Sequence, residues 1–127
     1  MRNGLRITLI LFGLICAVIA AGHIAIGQRA IPGGVVTNAT MDSEDRFFAT
    51  LFLCFGLAVI WCARDLGGRD GMLRALLAAF FAGGIARLVS LVAVGPPSGL
   101  FLFLGALELA LPPLFWWWLV ATRARPR

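Results

Sequence analysis

The chain has 127 residues, of which 61% are hydrophobic and only 13% are charged, and its mean hydropathy is +0.94. An ordinary soluble domain has about a quarter of its residues charged, so too little polar surface is present to cover a water-soluble globule. Disordered chains combine low hydrophobicity with high charge and are excluded. Three cysteines are few and odd in number, which argues against a disulfide scaffold. The composition therefore indicates an integral membrane protein.

Four apolar segments follow one another along the chain. They predict helices over residues 5–27, 44–64, 71–94 and 99–121. A helix needs about 20 apolar residues to cross a hydrocarbon core of about 30 Å, where backbone groups must be satisfied within the segment. The first segment is longer than the apolar region of a signal peptide, so a retained span is favoured over a cleaved signal. The expected fold is all-α, a single domain built as a bundle of four transmembrane helices.

The connections between these segments are short and have turn composition. The longest, residues 28–43, contains Pro32 and two glycines. Asp42 is expected to N-cap the second helix, and Asp70 is expected to cap the third. Residues 95–99 predict a tight, uncharged hairpin between the third and fourth helices.

The positive charges predict the orientation. The net charge is +5, but the arginines are dispersed among apolar segments and form no basic stripe, so no nucleic-acid partner is expected. Only Arg29 and Arg46 flank one side of the predicted spans. Arg87 lies inside a predicted span, and the remaining eight arginines flank the opposite side: Arg2, Arg6, Arg64, Arg69, Arg74, Arg123, Arg125 and Arg127. The positive-inside rule therefore predicts that both termini are cytoplasmic. The absence of lysine favours a bacterial source, and hence the cytoplasmic (inner) membrane.

Arg87 and Glu108 are charged residues inside predicted spans. A charge near the bilayer centre costs at least about 2.5–3.5 kcal/mol, so each should have a partner or a function. Both lie about 10–12 Å below the same end of helices joined by a hairpin, so their side chains can meet. Three interpretations remain open: a bridge that sets helix register, a pocket that grips a ligand headgroup, and a carboxyl that binds protons.

Small and helix-breaking residues surround this pair. Gly83 and Gly84 lie one turn from Arg87 and allow close approach of a helix or a ligand. Pro112 and Pro113 follow Glu108 and remove two backbone donors, which frees carbonyls near the acid. For the prolines alone, a simple packing kink is the favoured interpretation.

Further polar residues are predicted for the same outer half. His23 lies four residues before the end of the first predicted span, and Glu44 and Arg46 open the second. An interfacial histidine and helix-capping acids are the simpler explanation, although Arg46 shares a helical face with Thr50 and Cys54. No metal-ligand spacing, catalytic triad, phosphate loop or dinucleotide motif is recognisable, so no metal, catalytic residue or cofactor is predicted.

Three stretches carry a resemblance to a known family. They are Met41–Ala49, with the pattern D-S-E-x-R-F-F; Gly83–Leu88, with G-G-x-A-R; and Glu108 to Pro113, with E-x-x-x-P-P. In these stretches the chain resembles the bacterial domain of unknown function 4345 family, although Asp45 stands where an apolar residue is expected. The resemblance implies a small four-helix membrane protein without an established activity. It also implies that Glu44, Arg46, Arg87 and Glu108 are the family's polar set.

Three classes of function are compatible with these features. The leading hypothesis is a non-enzymatic membrane protein that binds a lipid-like or small amphipathic ligand in an outer-half polar cavity, or serves as an accessory subunit of a membrane complex. Its ligand-binding residues would be Arg87, Glu108, Arg46, Glu44 and His23. The alternatives are a proton-coupled transporter that uses Glu108, and an isomerase-type enzyme that uses the acids with His23. Small residues at positions 13, 17 and 21 would allow helix packing within the chain, with a membrane-protein partner or in a homo-oligomer.

Overall fold

The computed structural model describes residues 1–123 and contains, in that part of the chain, four long α-helices. They are α1 (Arg2–Ile26), α2 (Ala39–Ala63), α3 (Asp70–Ala93) and α4 (Gly99–Arg123), with a short 3-10 helix at Gly27–Ala30. No strand occurs within residues 1–123, so the all-α prediction is confirmed. Arg125 and Arg127, which contributed to the predicted orientation, lie outside the described residues.

The helices are long and apolar enough to cross a membrane. Each of the four has 24 or 25 residues. At 1.5 Å per residue, that corresponds to about 36 Å, against a hydrocarbon core of about 30 Å. Large apolar side chains also stay exposed along them, including Val18 at 71%, Val92 at 88% and Trp117 at 64%. Such surfaces are costly in water and ordinary in lipid, so the helices indicate a multi-pass membrane protein.

The beginning of α2 differs from the prediction. The helix begins at Ala39, not at residue 44, because Asn38 supplies the N-cap: its side-chain oxygen accepts a hydrogen bond of 3.0 Å from the Met41 backbone N–H. Asp42 lies in the first turn and does not cap the helix. Similarly, Asp70 is the first residue of α3 and not its cap, a position that Arg69 takes without a side-chain capping bond. Both carboxylates bind arginines instead.

The chain divides into two compact units. One comprises Arg6–Leu66 and holds most of α1 with α2. The other comprises Met1–Leu5 and the chain from Gly67 onwards, and holds α3 with α4.

Small residues bring α1 and α2 together. A Cβ placed on Gly13 would lie 2.6 Å from the Gly56 carbonyl oxygen, and one on Gly56 would lie 2.6 Å from the Gly13 oxygen and 3.0 Å from the Ala17 nitrogen. The two backbones are therefore in direct contact, as small-residue motifs permit in membranes. Phe12 and Phe55 pack edge to face, with ring centroids 6.1 Å apart. The predicted packing role of Gly13 and Ala17 is thus found within the chain.

In the other unit, α3 and α4 form an antiparallel hairpin. Residues 94–98 connect them, with Gly95 at a φ of +115°, a backbone conformation that glycine adopts readily. Leu73 and Leu77 of α3 are buried, as are Phe115 and Leu119 of α4. The hairpin expected from residues 95–99 is confirmed, and it is what places Arg87 beside α4.

Candidate functional site

Arg87 and Glu108 form an ion pair. The Arg87 Nε donates a hydrogen bond of 2.6 Å to the Glu108 Oε2. The Glu108 side chain is only 14% exposed, whereas that of Arg87 is 44% exposed. The Glu108 carboxylate is thus the more buried partner, and the Arg87 side chain remains partly exposed.

Backbone proximity explains why the two side chains meet. A Cβ on Gly84 would lie 2.9 Å from the Leu109 side chain and 3.2 Å from the Glu108 carbonyl carbon. A Cβ on Gly105 would lie 3.4 Å from the Arg87 Cδ. By contrast, a Cβ on Gly83 would have no described atom within 4 Å, so of the two adjacent glycines only Gly84 serves the close approach.

Arg87 lines a cavity of about 310 Å³. It lies between α3 and α4, and most of its lining is apolar, with Arg87 and Ser90 as polar side chains. The Arg87 guanidinium carbon stands 5.8 Å from the centroid of the Phe101 ring, within the range of a cation–π contact. Ligand-binding sites have volumes of about 300–1,000 Å³ and an apolar lining with few polar groups. This cavity therefore has the size and lining of a small ligand-binding site.

The prolines of α4 follow this site directly. The helix continues through Pro112 and Pro113, and Pro112 is buried. Because proline has no N–H, the carbonyl oxygens of Glu108 and Leu109 receive no helical hydrogen bond from these positions. These carbonyls add acceptors beside the carboxylate.

A second polar cluster joins the end of α1 to the start of α2. The His23 Nδ1 lies 3.0 Å and 3.2 Å from the two carboxylate oxygens of Asp45. Both side chains are largely buried, at 21% and 19% exposure. His23 is therefore more than an interfacial residue, because it connects two helices.

Arg46 connects the same two helices. Its Nε donates to the Asp42 Oδ2 at 2.8 Å, and its Nη1 donates to the Ile24 carbonyl oxygen at 2.6 Å. The last carbonyls of a helix lack intrahelical partners and carry partial negative charge, so a guanidinium is a favourable cap for α1. Gly27 has a φ of +61°, and a Cβ there would overlap the Asp42 carboxylate. Only glycine allows the chain to turn this close to the Asp42–Arg46 pair.

The predicted site residues therefore belong to two separate clusters. Arg87 and Glu108 lie in the α3–α4 unit, and His23 and Arg46 lie in the α1–α2 unit. Glu44 is exposed, and within residues 1–123 its side chain makes no ion pair. The role of all five in ligand binding stays a prediction.

Sequence reasoning misses the partners in the second cluster. On sequence alone, Asp45 is a departure from the family pattern and Asp42 is a helix cap. The available signal is a lone histidine near the end of one span, followed by acids at the start of the next. Antiparallel helices joined by one loop place such positions at the same end.

A third cluster lies where α3 begins and α4 ends. The Asp70 Oδ2 lies 2.7 Å from the Arg123 Nη2 and 3.0 Å from the Arg74 Nε, and the Asp70 side chain is only 12% exposed. The Arg74 guanidinium carbon stands 5.0 Å from the centroid of the Trp116 ring. These arginines, predicted only as topology signals, are held by a buried acid and an aromatic ring.

The potential metal ligands of the chain are dispersed. In the part of the chain that the structure describes, no three His, Cys, Asp or Glu side chains converge as a metal site would require. Cys16 and Cys62 are buried and Cys54 is exposed, and these three cysteines form no disulfide bond.

Comparison with known proteins places the chain in a family. Neither the curated proteins nor the solved structures contain a significant match. The family described as Domain of unknown function (DUF4345) matches residues 4–119, from the first turn of α1 to near the end of α4. That span includes the Arg87–Glu108 pair and the His23–Asp45 contact. The chain therefore belongs to the DUF4345 family, as its sequence motifs suggest.

Proposed function

We propose that the protein is a non-enzymatic membrane protein that binds a lipid-like or small amphipathic ligand in the cavity beside Arg87. The observation that carries the proposal is a partly exposed arginine side chain in the lining of an otherwise largely apolar cavity. Glu108 holds the side chain by its Nε, which leaves the terminal nitrogens as donors for an anionic or strongly polar headgroup. The apolar lining would accommodate the ligand's hydrocarbon part.

The proposal includes insertion by all four helices, with both termini in the cytoplasm of a bacterial cell. The described arginines at the start of α1, around the α2–α3 turn and at the end of α4 support this orientation under the positive-inside rule. The cavity then lies in the outer half of the membrane, because Arg87 is about 9 Å from the end of α3 that leads into the uncharged hairpin.

Orientation is tested by labelling single cysteines with a membrane-impermeant maleimide. Val36→Cys lies in the exposed α1–α2 loop, and Gly67→Cys lies in the exposed α2–α3 turn. In intact cells we expect labelling of Val36→Cys only, with Gly67→Cys labelled after permeabilisation. The reverse pattern would refute the orientation. The background for both variants lacks the native thiols Cys16, Cys54 and Cys62.

Ligand binding is tested by thermal unfolding in detergent. Amphiphiles with one hydrocarbon chain but carboxylate, phosphate or trimethylammonium headgroups are compared. We expect the anionic compounds to raise Tm in the wild type, and this increase to vanish in Arg87→Ala. The matched control Arg64→Ala removes an exposed arginine at the C-cap of α2 and should retain the increase in Tm. Equal shifts for all three headgroups would contradict the proposal.

The cavity itself is tested by filling it. Ala106 lines the cavity, whereas Ala110 is an exposed alanine one turn further along α4 that does not line it. Ala106→Phe should abolish the shift and Ala110→Phe should preserve it. If Ala106→Phe binds as the wild type does, the ligand occupies another place. Co-purification of a protein through the same face would favour the accessory-subunit form of the hypothesis instead.

A further inference from the structure

A second, separate groove runs along the other half of the α3–α4 unit. It encloses about 270 Å³ and is lined by Leu77, Ala78 and Phe81 of α3 and by Pro112, Pro113 and Trp116 of α4. Within residues 1–123, no charged residue lines it. Its place in the unit is distinct from the cavity beside Arg87, because the described linings of the two have no residue in common.

The groove ends at a cluster of positive charge. Arg74 and Arg123 bind the same oxygen of Asp70, so the three side chains carry one net positive charge. Arg123 is half exposed and Arg74 is 29% exposed, while Asp70 is nearly buried. Both arginines thus form ion pairs with the acid, and their side chains are more exposed than that of Asp70.

Helical spacing joins the groove to the charged cluster. Leu77, Ala78 and Phe81 lie three, four and seven residues after Arg74, so all four share one face of α3. On α4, Arg123 lies seven residues after Trp116, again on one face. Trp116 lines the groove and also stands 5.0 Å from the Arg74 guanidinium carbon. Apolar groove, aromatic ring and cationic end therefore form one continuous surface.

We infer that this surface is a binding site for an anionic phospholipid. The headgroup phosphate pairs with Arg74 and Arg123, and one acyl chain lies in the groove against Phe81 and Pro113. Charge complementarity selects the occupant, because a net positive end favours a headgroup with net negative charge over a zwitterionic one. The inference requires the membrane insertion proposed above but not a ligand beside Arg87.

Native mass spectrometry of the detergent-purified chain tests this site. The probes are phosphatidylglycerol and phosphatidylcholine with identical acyl chains, and the readout is the ratio of their singly bound adducts. We expect the wild type to prefer phosphatidylglycerol. One arginine near an anionic lipid surface strengthens binding about fivefold. Arg123→Gln should therefore lower the ratio of phosphatidylglycerol to phosphatidylcholine adducts about fivefold. Arg123→Lys keeps the charge and should keep most of the preference.

Matched controls separate this site from general charge effects. Arg64→Gln removes a positive charge elsewhere and should leave the ratio unchanged. Ala78→Phe fills the groove and should reduce both adducts, whereas Ala79→Phe changes the next, exposed residue outside the groove and should not. The Ala78 comparison keeps the inference testable if Arg123→Gln fails to fold.

Several results would overturn the inference. They are equal binding of the two lipids by the wild type, an equal effect of Arg64→Gln and Arg123→Gln, or full binding by Ala78→Phe. Stabilisation by glycerol phosphate equal to that by the whole lipid would also overturn it, because the groove would then contribute nothing. By contrast, if Arg87→Ala abolishes amphiphile binding while the preference for phosphatidylglycerol persists, the phospholipid site is supported independently of the ligand proposed beside Arg87.

Discussion

Replacing Glu108 by glutamine removes the charge that Arg87 binds in the middle of the α3–α4 hairpin. The Nε–Oε2 distance of 2.6 Å marks a charge-assisted hydrogen bond. Breaking a fully buried ion pair by removing one partner costs about 3–5 kcal/mol, and one hydrogen bond to a charged group contributes about 1.5–3 kcal/mol. Arg87 is 44% exposed and keeps its contact with Phe101, so the lower range applies. We expect Glu108→Gln to lower the free energy of unfolding by about 2 kcal/mol.

A double-mutant cycle measures the pairwise part of that loss. Glu108→Gln, Arg87→Gln and the double variant are unfolded by denaturant in mild detergent. The double variant leaves no unpaired charge in the apolar region, so its destabilisation should be smaller than the sum of the single effects. We expect a coupling energy of about 1–2 kcal/mol. The exposed control Arg64→Gln should change stability by no more than about 0.5 kcal/mol.

The coupling energy decides whether this ion pair organises the unit. A value below about 0.5 kcal/mol is typical of independent sites and would refute the reasoning. Exchange of the two residues, Arg87→Glu with Glu108→Arg, provides a second check. It should recover part of the stability lost in either single variant, because the opposite charges again face each other.

Three further predictions concern helix contacts. Gly84→Ala should destabilise the hairpin by about 1–3 kcal/mol because its Cβ meets Leu109, whereas Gly83→Ala, with open space, should be near neutral; equal effects would contradict this. Gly56→Ala should cost a similar amount, measured by the same unfolding assay, because its Cβ would press on the α1 backbone. Arg46→Gln should speed hydrogen exchange at the end of α1 and lower the free energy of unfolding by about 1–2 kcal/mol. Arg46→Lys should be more stable than Arg46→Gln but less stable than the wild type, because lysine lacks the guanidinium fork.

The polar partners show where sequence reasoning ends. Arg87 and Glu108 are recognisable because charges inside apolar spans need partners, and a single short hairpin leaves few arrangements for them. Asp45 has no such signal, because acids at the start of a helix are already explained by capping and the helix dipole. Asp42 and Arg46 pair within α2 at i,i+4 spacing, whereas the contact of Asp45 with His23 depends on the rotation of α2 relative to α1. The Gly13–Gly56 contact determines that rotation, and it is a property of packed helices.

Local chemistry in the sequence determined the helical class, the four apolar segments and the family motifs. Hydrophobic length and helix-breaking residues act over one segment at a time, so no tertiary information is needed to interpret them. The tertiary structure alone decided that Asp45 binds His23, that Arg123 binds Asp70, and that cavities lie on both halves of the α3–α4 unit. These features arise from the distance between backbones, which depends on how glycines and bulky side chains of different helices fit together.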